Sequence, residues 1–205
     1  MVEFRPEVAG MNSSELLAIH LKAYLSVLES PEASETDIIV FPEGTLNNDL
    51  QLTYVPAPQD DIIPCLDESN QFADFFKQLS CAARRLRKYL LINLTEKADC
   101  PSAQDDTRPC APNGLNIFNT NVVFDREGRV ISRYRKVHVY VENKNTTYEP
   151  EFAIFDTDFG VRFGHFICFD MLFYTPGMDL IERFGVTDLI FTSLFYSELP
   201  FLTGK

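Results

Sequence analysis

The run Asp37-Ile-Ile-Val-Phe41, with the Pro42-Glu43-Gly44 that follows it, is the stretch on which the fold turns. Four consecutive apolar residues, with no polar residue at alternate positions, predict a short strand buried on both faces. Pro42 ends it and leaves Glu43 at the strand's carboxyl end. A helical pattern lies on either side. Residues 12–29 space Leu17, Leu21, Tyr24, Leu25 and Leu28 at helical intervals behind Asn12 and Glu15, a capping-box pair. Residues 69–88 put Phe72, Phe75, Phe76, Leu79, Ala83 and Leu86 on one stripe, with basic residues near the end where the dipole favours them.

Further strands follow. Tyr89-Leu-Leu-Ile-Asn-Leu94 is apolar, and 117–124 and 129–136 flank Asp125-Arg-Glu-Gly128, the turn of a hairpin. A second pair, 152–156 and 161–168, flanks Asp156-Thr-Asp-Phe-Gly160. Pro176 opens a short helix ending at Gly185, and Val186 to Thr192 is a last buried strand. Alternation of strands and helices, mixed with hairpins, predicts a layered α/β fold in which helices cover the sheet. There is no repeat, low-complexity tract or linker, so residues 1–205 read as a single domain.

The chain has 205 residues, 45% of them hydrophobic, enough to bury a substantial core. A formal charge of −12 argues against nucleic acid and against anionic membranes, both of which call for concentrated Lys and Arg. The N-terminal residues show no secretory signal, and no apolar run is long enough to span a bilayer.

Cysteine usage points the other way. Cys65, Cys81, Cys100 and Cys110 lie in polar or helical surroundings, and Cys168 stands alone in an apolar run. Four plus one fits two disulfides and one working thiol. Of three connectivities the favoured one is Cys65–Cys81 with Cys100–Cys110; four reduced cysteines is the competing reading. Zinc is disfavoured, because there is no Cys-x-x-Cys and the three histidines are scattered. Asn12, Asn93 and Asn145 each open a glycosylation sequon, with Asn145 the best placed and Asn93 the least accessible. Together these features predict a secreted chain.

Three reactive side chains fall at strand ends, where α/β sheets place their sites: Glu43, Lys136 and Cys168. A carboxylate can take the thiol proton, the thiolate can attack an amide carbonyl, and the ammonium can hold the oxyanion with the backbone N–H of Phe169. Taken singly, each has a plainer reading: Cys168 as a small core residue, Glu43 as a surface charge, Lys136 as part of a solvated face with Arg133 and Arg135.

The three together change the weighting. Phe41-Pro-Glu43, Arg133-Tyr-Arg-Lys136 and Gly164-His-Phe-Ile-Cys-Phe-Asp170 resemble, in order and spacing, the Glu, Lys and Cys motifs of the nitrilase (carbon–nitrogen hydrolase) superfamily. Nearly the whole chain is similar to its biotinidase/vanin branch, through Ile63-Pro-Cys65, Leu79-Ser-Cys81, the Cys100 to Cys110 loop, Asn119-Thr-Asn-Val-Val-Phe-Asp125 and Cys168-Phe-Asp-Met-Leu-Phe173. The resemblance implies a four-layer αββα sandwich, the roles given above, a thioester intermediate and no cofactor. It also implies a secreted or membrane-anchored glycoprotein acting on small amides of pantetheine or biotin type, and relatives that pair as homo-oligomers. Glu142 matches a second glutamate that some relatives carry near the site; a salt-bridged surface Glu is its other reading.

Three departures set further expectations. Phe191-Thr-Ser-Leu-Phe-Tyr-Ser197 lacks the Pro-Thr-Ala-Trp of the branch, with Phe195 at its Trp, so the substrate preference is open. His165 stands where relatives often have an apolar residue, and reads as a tolerated strand residue near enough to influence the thiol. The first strand looks cut short at Met1-Val-Glu-Phe4 and the domain incomplete at its C-terminus. The alternatives to an amidohydrolase are therefore a catalytically inactive truncated relative, or a secreted disulfide-bonded binding glycoprotein with Cys168 in its core. No Gly-x-Gly-x-x-Gly or Gly-Lys-Ser/Thr loop points to a nucleotide cofactor.

Overall fold

Asn12 opens the first helix as its spacing predicts. Its side-chain carbonyl accepts from the N–H groups of Ser14 and Glu15, and the Glu15 carboxylate accepts from the N–H of Asn12. The computed structural model describes residues 10–100, 110–147 and 149–194. Its elements are α1 (Ser13–Leu28), β1 (Ile38–Val40), α2 (Asp74–Leu86), β2 (Tyr89–Asp99), β3 (Leu115–Phe124), β4 (Val130–Arg135), β5 (Ala153–Asp156), β6 (Arg162–Ile167), α3 (Gly177–Glu182) and β7 (Asp188–Thr192).

Two sheets form. One has the order β1-β2-β3-β4 and the other β5-β6-β7, with β1–β2 and β6–β7 parallel and the remaining pairs antiparallel. Leu90, Ile92 and Leu94 of β2 join Phe75, Phe76 and Leu79 of α2 and Tyr24 and Leu28 of α1 in one core. The opposite face of β2, with Tyr89 and Leu91, meets Phe155 and Ile190 of the second sheet. Phe166 of β6 packs toward Leu180 of α3. The order of layers is thus helix, sheet, sheet, helix, the αββα sandwich expected.

Two boundaries differ from expectation. The second helix begins at Asp74 and not at 69, because the preceding segment has other partners. Ser69 bonds Asp67 and Gln71, and Thr53 Oγ1 accepts the N–H of Ala73. Local side-chain bonds of this kind compete with helix formation; Phe72 is buried all the same. Strand β1 is not buried on both faces either. It pairs only with β2, at the edge of its sheet among the described residues, and Val40 is 42% exposed.

A β-bulge in β4 decides where the site lysine stands. Phe124 pairs with Val130 but Val123 pairs with Ser132, so Ile131 is an extra residue. Strict alternation from Val130 would send Ser132, Tyr134 and Lys136 toward the helices, where Val130 packs. The extra residue reverses them. Ser132 bonds His165 of β6, Tyr134 packs with Ile167, and Arg133 and Arg135 turn to Glu96 on the helix side.

Both favoured disulfides are formed. Cys65–Cys81 ties the turn at 64–66 to α2, with Cα atoms 4.8 Å apart; Cys100–Cys110 closes the end of β2, with Cα atoms 6.0 Å apart. Cys168 is free and buried. No described helix is long and apolar enough to cross a membrane. The expectations for Met1 to Phe4 and for Phe195 to Ser197 lie outside the described residues.

Candidate active site

Glu43, Lys136 and Cys168 converge where β1, β4 and β6 end. All three are buried. Lys136 Nζ lies 2.7 Å from Glu43 Oε1 and 2.6 Å from Glu142 Oε1. Burial works against the ammonium, but the bonds to Glu142 and Glu43 outweigh it and hold Lys136 above the usual lysine value. Glu142, half-buried, is thus paired with Lys136 beside Glu43.

Asn119 joins the two carboxylates, donating its Nδ2 to Glu43 Oε1 and Glu142 Oε2, each at 2.8 Å. The backbone N–H of Leu194 donates to Glu43 Oε2 at 3.0 Å, and the carbonyl of Leu194 stands 3.9 Å from Cys168 Sγ. Burial first, then the nearby Glu43 carboxylate, push the Cys168 thiol up to about 11, against smaller opposing effects of Leu194 and Lys136. At neutral pH Cys168 is therefore a thiol and not a standing thiolate.

Cys168 sits at a strained turn. Its φ is +48°, a left-handed conformation that costs a residue with a Cβ about 1–2 kcal/mol. Asp170 holds the turn from beneath: its Oδ2 accepts from Tyr134 Oη at 2.8 Å and from the N–H of Ile167, and its Oδ1 accepts from the N–H of His138 at 2.9 Å. Phe169 follows Cys168 in the same 3-10 turn, Cys168–Leu172, with its ring against Tyr140 and Phe173.

Residues 8–181 match the carbon–nitrogen hydrolase family. This chain belongs to that family. It is 55% identical to Vanin-like protein 2 of Drosophila melanogaster over 99% of its own length and 38% of that relative's. It is 43% identical to pantetheine hydrolase VNN2 of Homo sapiens over 82% of its own length and 33% of that relative's. The chain thus spans well under half of either protein. Among solved structures, Nit3 of Saccharomyces cerevisiae, a member of branch 10 of the nitrilase superfamily, superposes with a TM-score of 0.62 at 22% identity, over 89% of this chain and 60% of that one.

The cluster around Glu43, Lys136 and Cys168 contains partners that no sequence motif singles out. Leu194 acts through its backbone, which no side-chain pattern reveals. Asn93 carries a sequon and is the least accessible of the three, as expected: it is 2% exposed, with its amide bonded to Gly44, Asn119 and Asn121. Asn12 caps α1, and Asn145 binds the loop after β4 to Ile117 of β3.

His165 takes no place among the reacting groups. Its Nε2 lies 2.8 Å from Ser132 Oγ between the sheets, Nδ1 has no hydrogen-bond partner, and burial lowers the imidazole to about 3. The unfolded chain protonates this His near 6.5 and the native chain does not, so between about pH 3 and 6.5 the unfolded state binds the extra proton and stability falls as pH falls. His165→Gln is expected to remove up to about 1.4 kcal/mol per pH unit from the acid slope. Urea unfolding at several pH values in that window checks it; an unchanged slope refutes it.

Proposed function

We propose that the chain is the catalytic unit of an amidohydrolase that cleaves small linear amides through a thioester on Cys168. What carries the reading is the burial of the thiol against a carboxylate that is itself bonded by Lys136. Glu43 takes the thiol proton as Sγ attacks the carbonyl carbon. The oxyanion is held by Lys136 Nζ and the N–H of Phe169. As the C–N bond breaks, Glu43 returns its proton to the departing amine. A water, deprotonated by Glu43, then cleaves the thioester, releases the acid and restores the thiol. A thiol raised to about 11 needs its base at the moment of attack.

The similarity to a pantetheine hydrolase, and the resemblance to biotinidases, support amides of pantetheine or biotin type as substrates. The two disulfides support a chain made for an oxidising, extracellular setting.

Chloroacetamide, a small electrophile with an amide group, tests the site whichever amide is the substrate. On the unreduced chain it is expected to label Cys168 selectively, and Glu43→Gln to slow that labelling at least tenfold. Peptide mapping by mass spectrometry reads both results. If Cys168 is labelled no faster than a thiol in the unfolded chain, the assignment fails and the inactive or binding readings take its place.

A further inference from the structure

We propose that Asn93, Asn119 and Asn121 form a one-way amide relay between the two sheets, in which Asn93 fixes which end of the Asn119 amide meets Glu43 and Glu142. The inference rests on the reading of Cys168 and Glu43 given above, and makes Asn93 and Asn119 positioning residues for that reaction.

A side-chain amide has two ends of nearly equal size, one donating and one accepting. Its neighbours decide which end points where. Here two backbone groups that cannot turn over set the direction at both ends of the chain of amides. The N–H of Gly44 only donates, and Asn93 Oδ1 accepts from it at 2.8 Å. The carbonyl of Phe166 in β6 only accepts, and Asn121 Nδ2 faces it at 3.4 Å. Asn121 Oδ1 is thereby turned inward, where it accepts from Thr192 Oγ1 at 3.0 Å and from Asn93 Nδ2 at 3.0 Å.

Asn93 Nδ2 also donates to Asn119 Oδ1, at 2.8 Å. That leaves one orientation for Asn119, with its Nδ2 toward the carboxylates. The three side chains are 2%, 7% and 0% exposed, so water cannot take over these bonds.

The orientation matters because the site is short of positive charge. Two carboxylates, Glu43 and Glu142, face one ammonium, Lys136. The groups bonded to Glu43 are Lys136 from the end of β4, Asn119 from β3 and the N–H of Leu194 after β7, with the Cys168 thiol nearby after β6. Asn119 supplies an N–H to each carboxylate, at 2.8 Å in both cases. Turned over, it would put a carbonyl oxygen against both.

The test is a double-mutant cycle on the chloroacetamide labelling rate of Cys168, measured across pH on the full chain. Asn119→Leu removes the donor, and Asn93→Leu removes the group that aims it. Each is expected to slow labelling about ten- to hundredfold, the worth of one charged hydrogen bond, and to move the acid half-point of the rate upward. Because Asn93 acts through Asn119, adding Asn93→Leu to Asn119→Leu is expected to slow labelling no further. Should Asn93→Leu fail to fold, Asn93→Asp keeps the volume and the acceptor for Gly44 but has no amide N–H for Asn119, and is expected to act in the same direction.

If the two losses multiply, or if melting temperature falls while rate and half-point stay put, the residues are structural and the relay is overturned. If wild-type Cys168 is not labelled selectively, the catalytic reading and the relay fall together, a result distinct from loss of the relay alone.

Discussion

Replacing Lys136 with Met is expected to remove turnover and a large part of the stability at once. Met matches the length of the stem but not the charge, and Lys136 is only 2% exposed. Without it, Glu43 and Glu142 share a pocket with only the Asn119 amide between them. Removing one partner of a buried ion pair typically costs about 3–5 kcal/mol. Loss of an oxyanion donor separately lowers kcat by about 10²–10³. The two effects can be told apart. Adding Glu142→Gln to Lys136→Met removes the surplus negative charge, so urea unfolding is expected to show most of the stability restored while hydrolysis of an amide substrate stays lost. Recovery of both would mean that Lys136 serves only to neutralise charge, and its role with the oxyanion would be wrong.

Cys168→Ser is expected to leave the fold intact and abolish hydrolysis. The hydroxyl is nearly isosteric with the thiol and sits in the same turn, held by Asp170 against Tyr134 and His138. Stability should therefore change by less than about 1.5 kcal/mol. Turnover by the proposed route depends on the attacking and leaving properties of sulfur, and a buried hydroxyl is both a much weaker acid and a poorer leaving group than a thiol already pushed up to about 11. Measurable turnover in Cys168→Ser, with a full thermal transition, would remove Cys168 from the reaction and favour the binding-protein reading.

The meeting of Glu43, Lys136 and Cys168 was legible because each follows the end of a short strand, and the resemblance named all three together. A layered α/β fold followed from the alternation of strands and helices, and the order of its four layers from the resemblance. What stayed hidden has specific causes. The facing of Lys136 depends on the bulge at Ile131, which breaks the alternation that a strand is read by. The start of α2 depends on Thr53, twenty positions upstream of Ala73. Asn93 carries a sequon and an apolar strand context at once, and only the tertiary placement of Gly44, Asn119 and Asn121 shows which matters. Leu194 contributes two backbone atoms, and any residue but proline would have supplied them.

The bulge also sets how much the length of this segment can vary. Strand β4 holds one residue in reserve: losing a residue between Val130 and Arg133 straightens the strand and leaves Tyr134 and Lys136 opposite the partners they have now. Gaining one leaves no such slack, and turns the lysine out of the pocket unless a second irregularity forms. In descent, then, this strand tolerates deletions more readily than insertions, and a shorter hairpin here is no sign that the chemistry has gone.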